Sequence, residues 1–285
     1  MRTSPVVWRP EEGVVGRTRR RRSPPLIAGL AILVVLAAMA VFAPLLSRFD
    51  PIAQDTSHAL LHPSARHLVG TDQLGRDVWV RLLYGARIDL AIGFLAVLFP
   101  FVIGSALGCL AGYFGGWIDT LIMRAVDIVL AFPFFVLVIA IVFVLGPGTT
   151  SIFVAIAITG WVSYAWIVRS EIVAAKRQEY VLAARALGYS RRRIILRHLL
   201  PNVITQGIVY ATSDIVFAIL AIVTLGYLGL GVPPPTPEWG SMISDGQQFI
   251  TTNWQLATIP GIAVVITGLG LALLGDGLAD LLRPE

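Results

Sequence analysis

Long apolar runs separated by short polar segments form the dominant pattern along this chain. Six apolar blocks lie at about 26–46, 88–113, 118–145, 151–170, 203–231 and 256–275. Each block is about as long as the ~20 residues that a helix needs to cross a bilayer. The strict alternation of apolar and polar residues that is typical of strands is not evident. The pattern therefore predicts an all-α membrane protein with six transmembrane helices.

The composition supports a membrane protein rather than a soluble one. The 285 residues are 56% hydrophobic and 14% charged, with a mean hydropathy of +0.78. This balance lies outside that of soluble globular domains, which could not bury so much apolar surface. The single cysteine, Cys109, cannot form an intrachain disulfide, so it indicates no redox role.

The placement of basic residues predicts the orientation. One cluster lies in a tail over residues 1–25, before a transmembrane domain over residues 26–285, and a second lies in the loop 171–201. Cytoplasmic loops carry an excess of Lys and Arg, so both clusters predict a cytoplasmic location, and six spans then place both termini there. The first external loop partly opposes this orientation, but the two clusters outweigh it. Its arginines are Arg48, Arg66, Arg76, Arg81 and Arg87.

The loop 171–201 has the pattern of a helical hairpin outside the membrane. Its first half is rich in good helix formers and ends at Gly188, a natural helix stop. Its second half begins at Ser190, a candidate N-cap, and runs to Pro201. The small side chains of Ala183, Ala184 and Ala186 suit close approach of another protein. From the pattern alone, an amphipathic hairpin lying on anionic headgroups fits equally well.

The run EYVLAARALGYSRRRIILRHLLPN in this loop resembles the EAA loop of ABC importer permeases, whose helix inserts into a groove on the ATPase. Leu182 stands where that motif has Glu, and His198 stands where it usually has isoleucine. The resemblance implies an ATPase-coupling role for six positions: Glu179, Ala183, Ala184, Gly188, Leu200 and Pro201.

Three further stretches narrow the resemblance. Residues 67–93, 233–246 and 273–284 are similar to the second permease of bacterial dipeptide, oligopeptide and nickel importers. This resemblance implies the type I ABC importer permease architecture and a place in the bacterial cytoplasmic membrane. It also implies that the chain forms half of a translocation pore for di- or oligopeptides. Nickel, glutathione or another small solute remains an alternative within the same family.

The same resemblance implies the partners. These are a second homologous permease, one or two ABC ATPase subunits, an extracytoplasmic solute-binding protein and the lipid bilayer. A P-loop requires Gly-Lys-Ser/Thr, whereas the only lysine, Lys176, lies between Ala175 and Arg177. We therefore expect ATP and Mg²⁺ on the partner ATPases, and no cofactor, metal, catalytic site or nucleic-acid binding on this chain.

Polar residues inside the apolar blocks are the candidates for a solute path, because charges in the membrane are costly. Tyr210, Asp214 and Tyr227 are the positions predicted to line it. Arg124 and Asp127, three residues apart, are expected to form a structural ion pair. An ion-coupled secondary transporter using Asp214 or Asp127 is the alternative class, but such a transporter does not need a long helical hairpin.

Overall fold

The computed structural model describes residues 24–282, so the arginines of the N-terminal tail lie outside the described part. Within this range the regular secondary structure is helical. An isolated bridge between Thr71 and Asp77 is the only β-pairing of these residues. The helices are α1 (Pro24–Val41), α2 (Ala43–Leu46), α3 (Val78–Phe114), α4 (Gly116–Leu130), α5 (Phe134–Leu145), α6 (Thr149–Ala175), α7 (Glu179–Ala186), α8 (Arg191–Ile194), α9 (Leu200–Tyr227), α10 (Trp239–Gln247) and α11 (Gln255–Leu282).

Within residues 24–282, five helical stretches are long and apolar enough to cross a membrane. They are α1, α3, α6, the continuous stretch from α8 to α9, and α11. The pair α4 and α5 passes the same test together, but the two helices meet at an angle of 85°. The predicted single span over 118–145 is therefore broken, and the break lies just before Pro133. The residue preceding a proline is driven out of the helical conformation, which explains the position of the break.

Helix α3 is much longer than the apolar block that predicts it. It begins at Val78, where the Asp77 carboxylate caps it by accepting a hydrogen bond of 2.9 Å from the Val80 N–H. Its 37 residues span about 55 Å, whereas the apolar core of a bilayer is ~30 Å thick. The first turns carry the polar residues Arg81 and Asp89. Because these residues lower the local hydropathy, the apolar block begins ten residues after the start of the helix.

Close packing of α3 against α6 forms the centre of the bundle. Gly104, Gly108 and Gly112 lie on one face of α3, against the backbone of α6. A Cβ atom at Gly104 would lie 2.3 Å from the Trp161 carbonyl oxygen, and one at Gly108 would lie 2.4 Å from that of Ala165. The stripe of small residues thus serves packing within this chain, as small residues do between membrane helices.

The bundle has two ends of different character. The end that carries residues 176–200 is called the hairpin end, and the end that carries residues 47–77 and 228–254 is called the loop end. At the hairpin end, α3, α6 and α9 pack on α7 and α8 around Cys109, Ile172 and Ile194. At the loop end, α10 packs on α3 and α11 around Trp239 and Leu82.

Candidate translocation and coupling site

Residues 176–200 form the two helices and the turn that the sequence predicts. Helix α7 ends at Ala186. Gly188, two residues later, has a φ of +76°, the left-handed conformation that favours glycine. The Gly188 N–H donates to the Arg185 carbonyl (2.9 Å), and the Tyr189 N–H donates to the Ala184 carbonyl (3.1 Å). This is the hydrogen-bond pattern of a Schellman motif. The Ser190 hydroxyl then caps α8 by accepting from the Arg193 N–H at 3.3 Å.

Pro201 does not end the second helix, which runs without interruption from Arg191 to Tyr227. The residues Ile195–Leu199 form a π-helical turn, and the Leu200 N–H donates to the Ile195 carbonyl five residues earlier. Such a wide turn accommodates the proline ring, which would clash with a regular preceding turn and has no N–H to donate. The exposed hairpin and the membrane helix α9 are therefore parts of one 37-residue helical stretch.

The structure divides the six predicted coupling positions between two faces of the hairpin. Glu179, Ala183, Gly188 and Pro201 are exposed, and Leu200 is half-buried. Ala184, in contrast, is only 4% exposed and packs in the hairpin-end core. The expectation that Ala184 belongs to a contact surface is not met, because its helix face points inward.

Two large apolar side chains also lie on the exposed face of the hairpin, and neither was predicted to belong to a contact surface. Leu182 is 51% exposed and Leu187 is 71% exposed. Both residues are apolar in the sequence, but no sequence pattern distinguishes their exposure from the burial of Val181 and Ala184. Exposed apolar residues that are contiguous with small and charged ones are typical of a protein contact surface.

Basic side chains tie the hairpin to the transmembrane helices. The Lys176 ammonium donates to the Gly112 carbonyl at 2.7 Å, and the Arg185 guanidinium lies 5.7 Å from the centre of the Tyr113 ring. Arg169 of α6 forms a two-pronged salt bridge with Asp119 of α4.

The predicted pairing of Arg124 with Asp127 is wrong. Within residues 24–282 neither side chain makes an ion pair, and both are exposed. The ion pair of α4 is instead the bridge from Asp119 to Arg169, which joins residues fifty positions apart.

Halfway along α9, Asp214 forms a polar cluster with two tyrosines. The Tyr164 hydroxyl of α6 donates to Asp214 Oδ2 at 2.8 Å. The ring of Tyr164 meets the ring of Tyr210 edge to face, with centroids 5.1 Å apart. The structure therefore brings two of the predicted path residues together and adds Tyr164, which is fully buried. Tyr164 lies fifty positions from Asp214, and no sequence pattern indicated their contact.

A cavity of about 330 Å³ opens beside this cluster. Its walls come from the α4–α5 bend, from α6 and from α9, and they combine hydroxyl groups with aromatic rings. Residues that line it include Asp214, Tyr210, Thr159, Ser163, Phe132 and Phe135. The break at Pro133 thus has a structural consequence, because it places Phe132 and Phe135 in the wall of the cavity that Asp214 also lines.

Tyr227, the third predicted path residue, lies far from this cavity. It is thirteen residues from Asp214 on the same helix, which corresponds to about 20 Å along the axis. Its hydroxyl donates to Gln247 Oε1 of α10 at 2.5 Å. Tyr227 therefore joins the end of α9 to α10 at the loop end.

Two buried carboxylates, those of Glu238 and Asp89, connect helices at the loop end. The Glu238 carboxylate caps α10 by accepting from the Gly240 N–H (2.5 Å) and the Ser241 N–H (2.8 Å). The Trp239 N–H donates to Asp89 Oδ2 of α3 at 3.0 Å. Glu238 and Asp89 are both completely buried, and burial raises the pKa of Glu238 to about 7. Neither residue was predicted from the sequence as part of a site, and the two are 149 positions apart.

Gly226 allows α9 to pack closely against the Glu238 carboxylate. A Cβ atom there would lie 1.9 Å from Glu238 Oε2. Helices α3, α9 and α10 therefore meet around the two buried carboxylates of Asp89 and Glu238.

Comparison with known proteins identifies the relatives of this chain. Residues 104–285 match the family described as binding-protein-dependent transport system inner membrane component. Residues 17–63 match the N-terminal transmembrane domain of oligopeptide transport permease C.

Curated relatives are similar over nearly the whole chain. The dipeptide transport system permease protein DppC of Alkalihalophilus pseudofirmus is 44% identical, covering 91% of this chain and 85% of the relative. The oligopeptide transport system permease protein OppC of Bacillus subtilis is 40% identical, covering 94% and 88%. Among solved structures, the inward-facing MetNI methionine ABC transporter aligns with a TM-score of 0.58 at 22% identity, over 71% of this chain and 96% of that chain. This last likeness supports the type I permease fold.

Proposed function

We propose, from the premise that this chain belongs to the family of binding-protein-dependent transport system inner membrane components, that it forms half of the translocation pore of an ATP-driven peptide importer. The solute class follows from relatives named as dipeptide, oligopeptide and di/tripeptide permeases. These names favour short peptides over nickel, glutathione or another small solute. The chain itself is the non-catalytic transport subunit.

The observation that carries the mechanism is the uninterrupted helix from Arg191 to Tyr227. One end of this helix lies in the exposed hairpin, its middle carries Asp214 beside the cavity, and its far end contacts α10 at the loop end. A displacement of the hairpin is therefore transmitted along one rigid element to the cavity. Rigid-body motion of this kind is a standard way to alternate the side on which a site opens.

The partners follow from this geometry and from the family. The exposed face of Glu179, Leu182, Ala183 and Leu187 suits insertion into a groove on an ABC ATPase, which would bind the ATP and Mg²⁺. The α4–α5 pair exposes large apolar side chains such as Phe143 and Val144. These side chains suit contact with lipid and with a second homologous permease. The loop end would receive the extracytoplasmic solute-binding protein.

The orientation assigned by the basic residues places the hairpin end and both termini in the cytoplasm. Single cysteines at Arg192 and at Thr236, introduced in a Cys109→Ala background, test it in whole cells. A membrane-impermeant thiol reagent is expected to label Thr236→Cys only. Labelling of Arg192→Cys from outside would reverse the orientation.

The test of the proposed function is uptake by the complete complex in lipid vesicles, containing both permeases, the ATPases and the binding protein. We expect ATP-dependent accumulation of di- to oligopeptides, and no accumulation with ATPase subunits that bind ATP but cannot hydrolyse it. Uptake by this chain without any ATPase, or stimulation by nickel chelates alone, would contradict the proposal.

A further inference from the structure

We propose that the cavity beside Asp214 is the subsite that binds the α-ammonium group of the transported peptide, with the Asp214 carboxylate as its counter-charge. This inference rests on the proposed peptide transport and adds the chemical group that the pore recognises. The cavity lies midway along α9, fourteen residues from Leu200 and thirteen from Tyr227. It is therefore placed where a solute would pass between the two ends of the bundle.

The charge of the cavity is the first argument. Within residues 24–282, no nitrogen of Arg, Lys or His lies within 4 Å of the Asp214 carboxylate. The Tyr164 hydroxyl supplies one hydrogen bond to Oδ2, and a carboxylate has capacity for several more. An ionised group removed from bulk water is costly unless a counter-charge compensates it. A cationic solute supplies that counter-charge.

The aromatic walls are the second argument, and they favour ammonium over a metal ion. Tyr210, Phe132 and Phe135 line the cavity with Asp214, and aromatic rings attract an ammonium cation through their negatively charged faces. Divalent metals such as Mg²⁺ and Ca²⁺ instead take six or more oxygen ligands. Asp214 is the only carboxylate among the residues that line this cavity.

The size of the cavity is the third argument. Its volume of about 330 Å³ lies at the lower end of the range for small-molecule sites, ~300–1,000 Å³. Such a space accommodates one end of a peptide rather than a long chain. A subsite for the amino terminus, which every unmodified peptide carries, is compatible with transport of peptides of different sequence.

A thiol-labelling experiment tests the cation preference without any peptide. Ser163, which lines the cavity, is replaced by Cys in a Cys109→Ala background of the full complex. We expect a trimethylammonium-bearing methanethiosulfonate to react about ten times faster than a sulfonate-bearing one, after correction for their rates with free cysteine. Asp214→Asn should abolish this preference, and Asp280→Asn, at an exposed position of α11, should preserve it. An unchanged preference in Asp214→Asn, or no labelling by either reagent, would overturn the subsite.

Peptide uptake tests the role of the subsite in transport. In vesicles, Asp214→Asn should lower the ATP-driven uptake of a di- or tripeptide at least tenfold, while Asp214→Glu keeps most of it. Co-purification of the ATPases and their stimulation by the liganded binding protein should persist in both variants, because the hairpin and the loop end are unchanged. If the original complex takes up no peptide, the proposed function fails. If it does and Asp214→Asn takes up peptide equally well, only the subsite fails.

Discussion

The two ends of the bundle handle their charged residues in opposite ways. At the loop end, Arg76 and Arg81 are buried and lie next to Asp72, with Arg76 Nε donating to Asp72 Oδ2 at 2.7 Å. At the hairpin end, Arg191, Arg192 and Arg193 are exposed to solvent. The loop end thus contains a buried cluster of arginines and a carboxylate, whereas the hairpin end leaves these three arginines and the apolar side chains of Leu182 and Leu187 exposed.

The first cluster is compensated within the chain, whereas the second surface remains open to a partner. Burying a charge is costly unless a partner compensates it, and Arg76 and Arg81 are compensated by Asp72. The hairpin end is ordered by its helix caps, yet its outward face packs on nothing else within residues 24–282.

The neighbouring residues Ala183 and Ala184 separate the two faces of the hairpin most strongly. Ala184→Glu places an unpaired charge in the hairpin-end core and should lower the free energy of unfolding by about 4 kcal/mol. Ala183→Glu, on the exposed face, should change it by less than about 0.5 kcal/mol and should instead prevent co-purification with the ATPases. Thermal unfolding in detergent measures the first effect. Equal destabilisation by both variants would contradict the division into two faces.

The buried carboxylate of Glu238 should make the loop end sensitive to pH. Its pKa is about 7 in the folded chain and 4.5 when unperturbed, so between these values the unfolded chain binds fewer protons than the folded one. The free energy of unfolding should therefore fall by about 3 kcal/mol as pH rises from about 4.5 to 7.

Glu238→Gln should remove most of this pH dependence, while Glu179→Gln at the exposed hairpin should retain it. The measurement is the unfolding midpoint of each variant in detergent at pH 5 and at pH 7.5. The same fall in the midpoint for Glu238→Gln as for the original chain would exclude Glu238 as its cause.

The turn at Gly188 should show a smaller effect on stability and a large one on coupling. Gly188→Ala forces a side chain into the left-handed conformation at a cost of about 1 kcal/mol. Gly188→Trp adds bulk at the exposed turn and should abolish ATP hydrolysis stimulated by the binding protein, with insertion into the membrane unchanged. Normal transport by Gly188→Trp would remove the hairpin from the docking surface.

The smallest expected effect concerns a cation–π contact on the exposed hairpin. The Arg193 guanidinium lies 4.1 Å from the centre of the Tyr189 ring, and exposed contacts of this kind contribute about 0.5 kcal/mol. Arg193→Gln should therefore lower the unfolding midpoint only slightly. At the loop end, Arg76→Gln should lower it much more, because it leaves the buried Asp72 carboxylate without its closest cation. Similar shifts of the unfolding midpoint in the two variants would contradict this difference between the two ends.

Sequence alone was sufficient to predict the all-α class, the apolar blocks and the helical hairpin with its turn at Gly188. These are local properties, since block length, helix propensity and the conformational freedom of one glycine are readable within a few neighbouring residues. The grouping of Tyr210 with Asp214 was also within reach, because four positions on a helix share one face.

The remaining features depend on tertiary contacts. The contact of Tyr164 with Asp214 joins residues fifty positions apart, and that of Asp89 with Trp239 joins residues 150 positions apart. The inward direction of Ala184, the 85° bend at Pro133 and the passage of one helix through Pro201 likewise depend on what each segment packs against. Hydropathy and propensity describe single segments, whereas these features are set by contacts between segments distant in sequence.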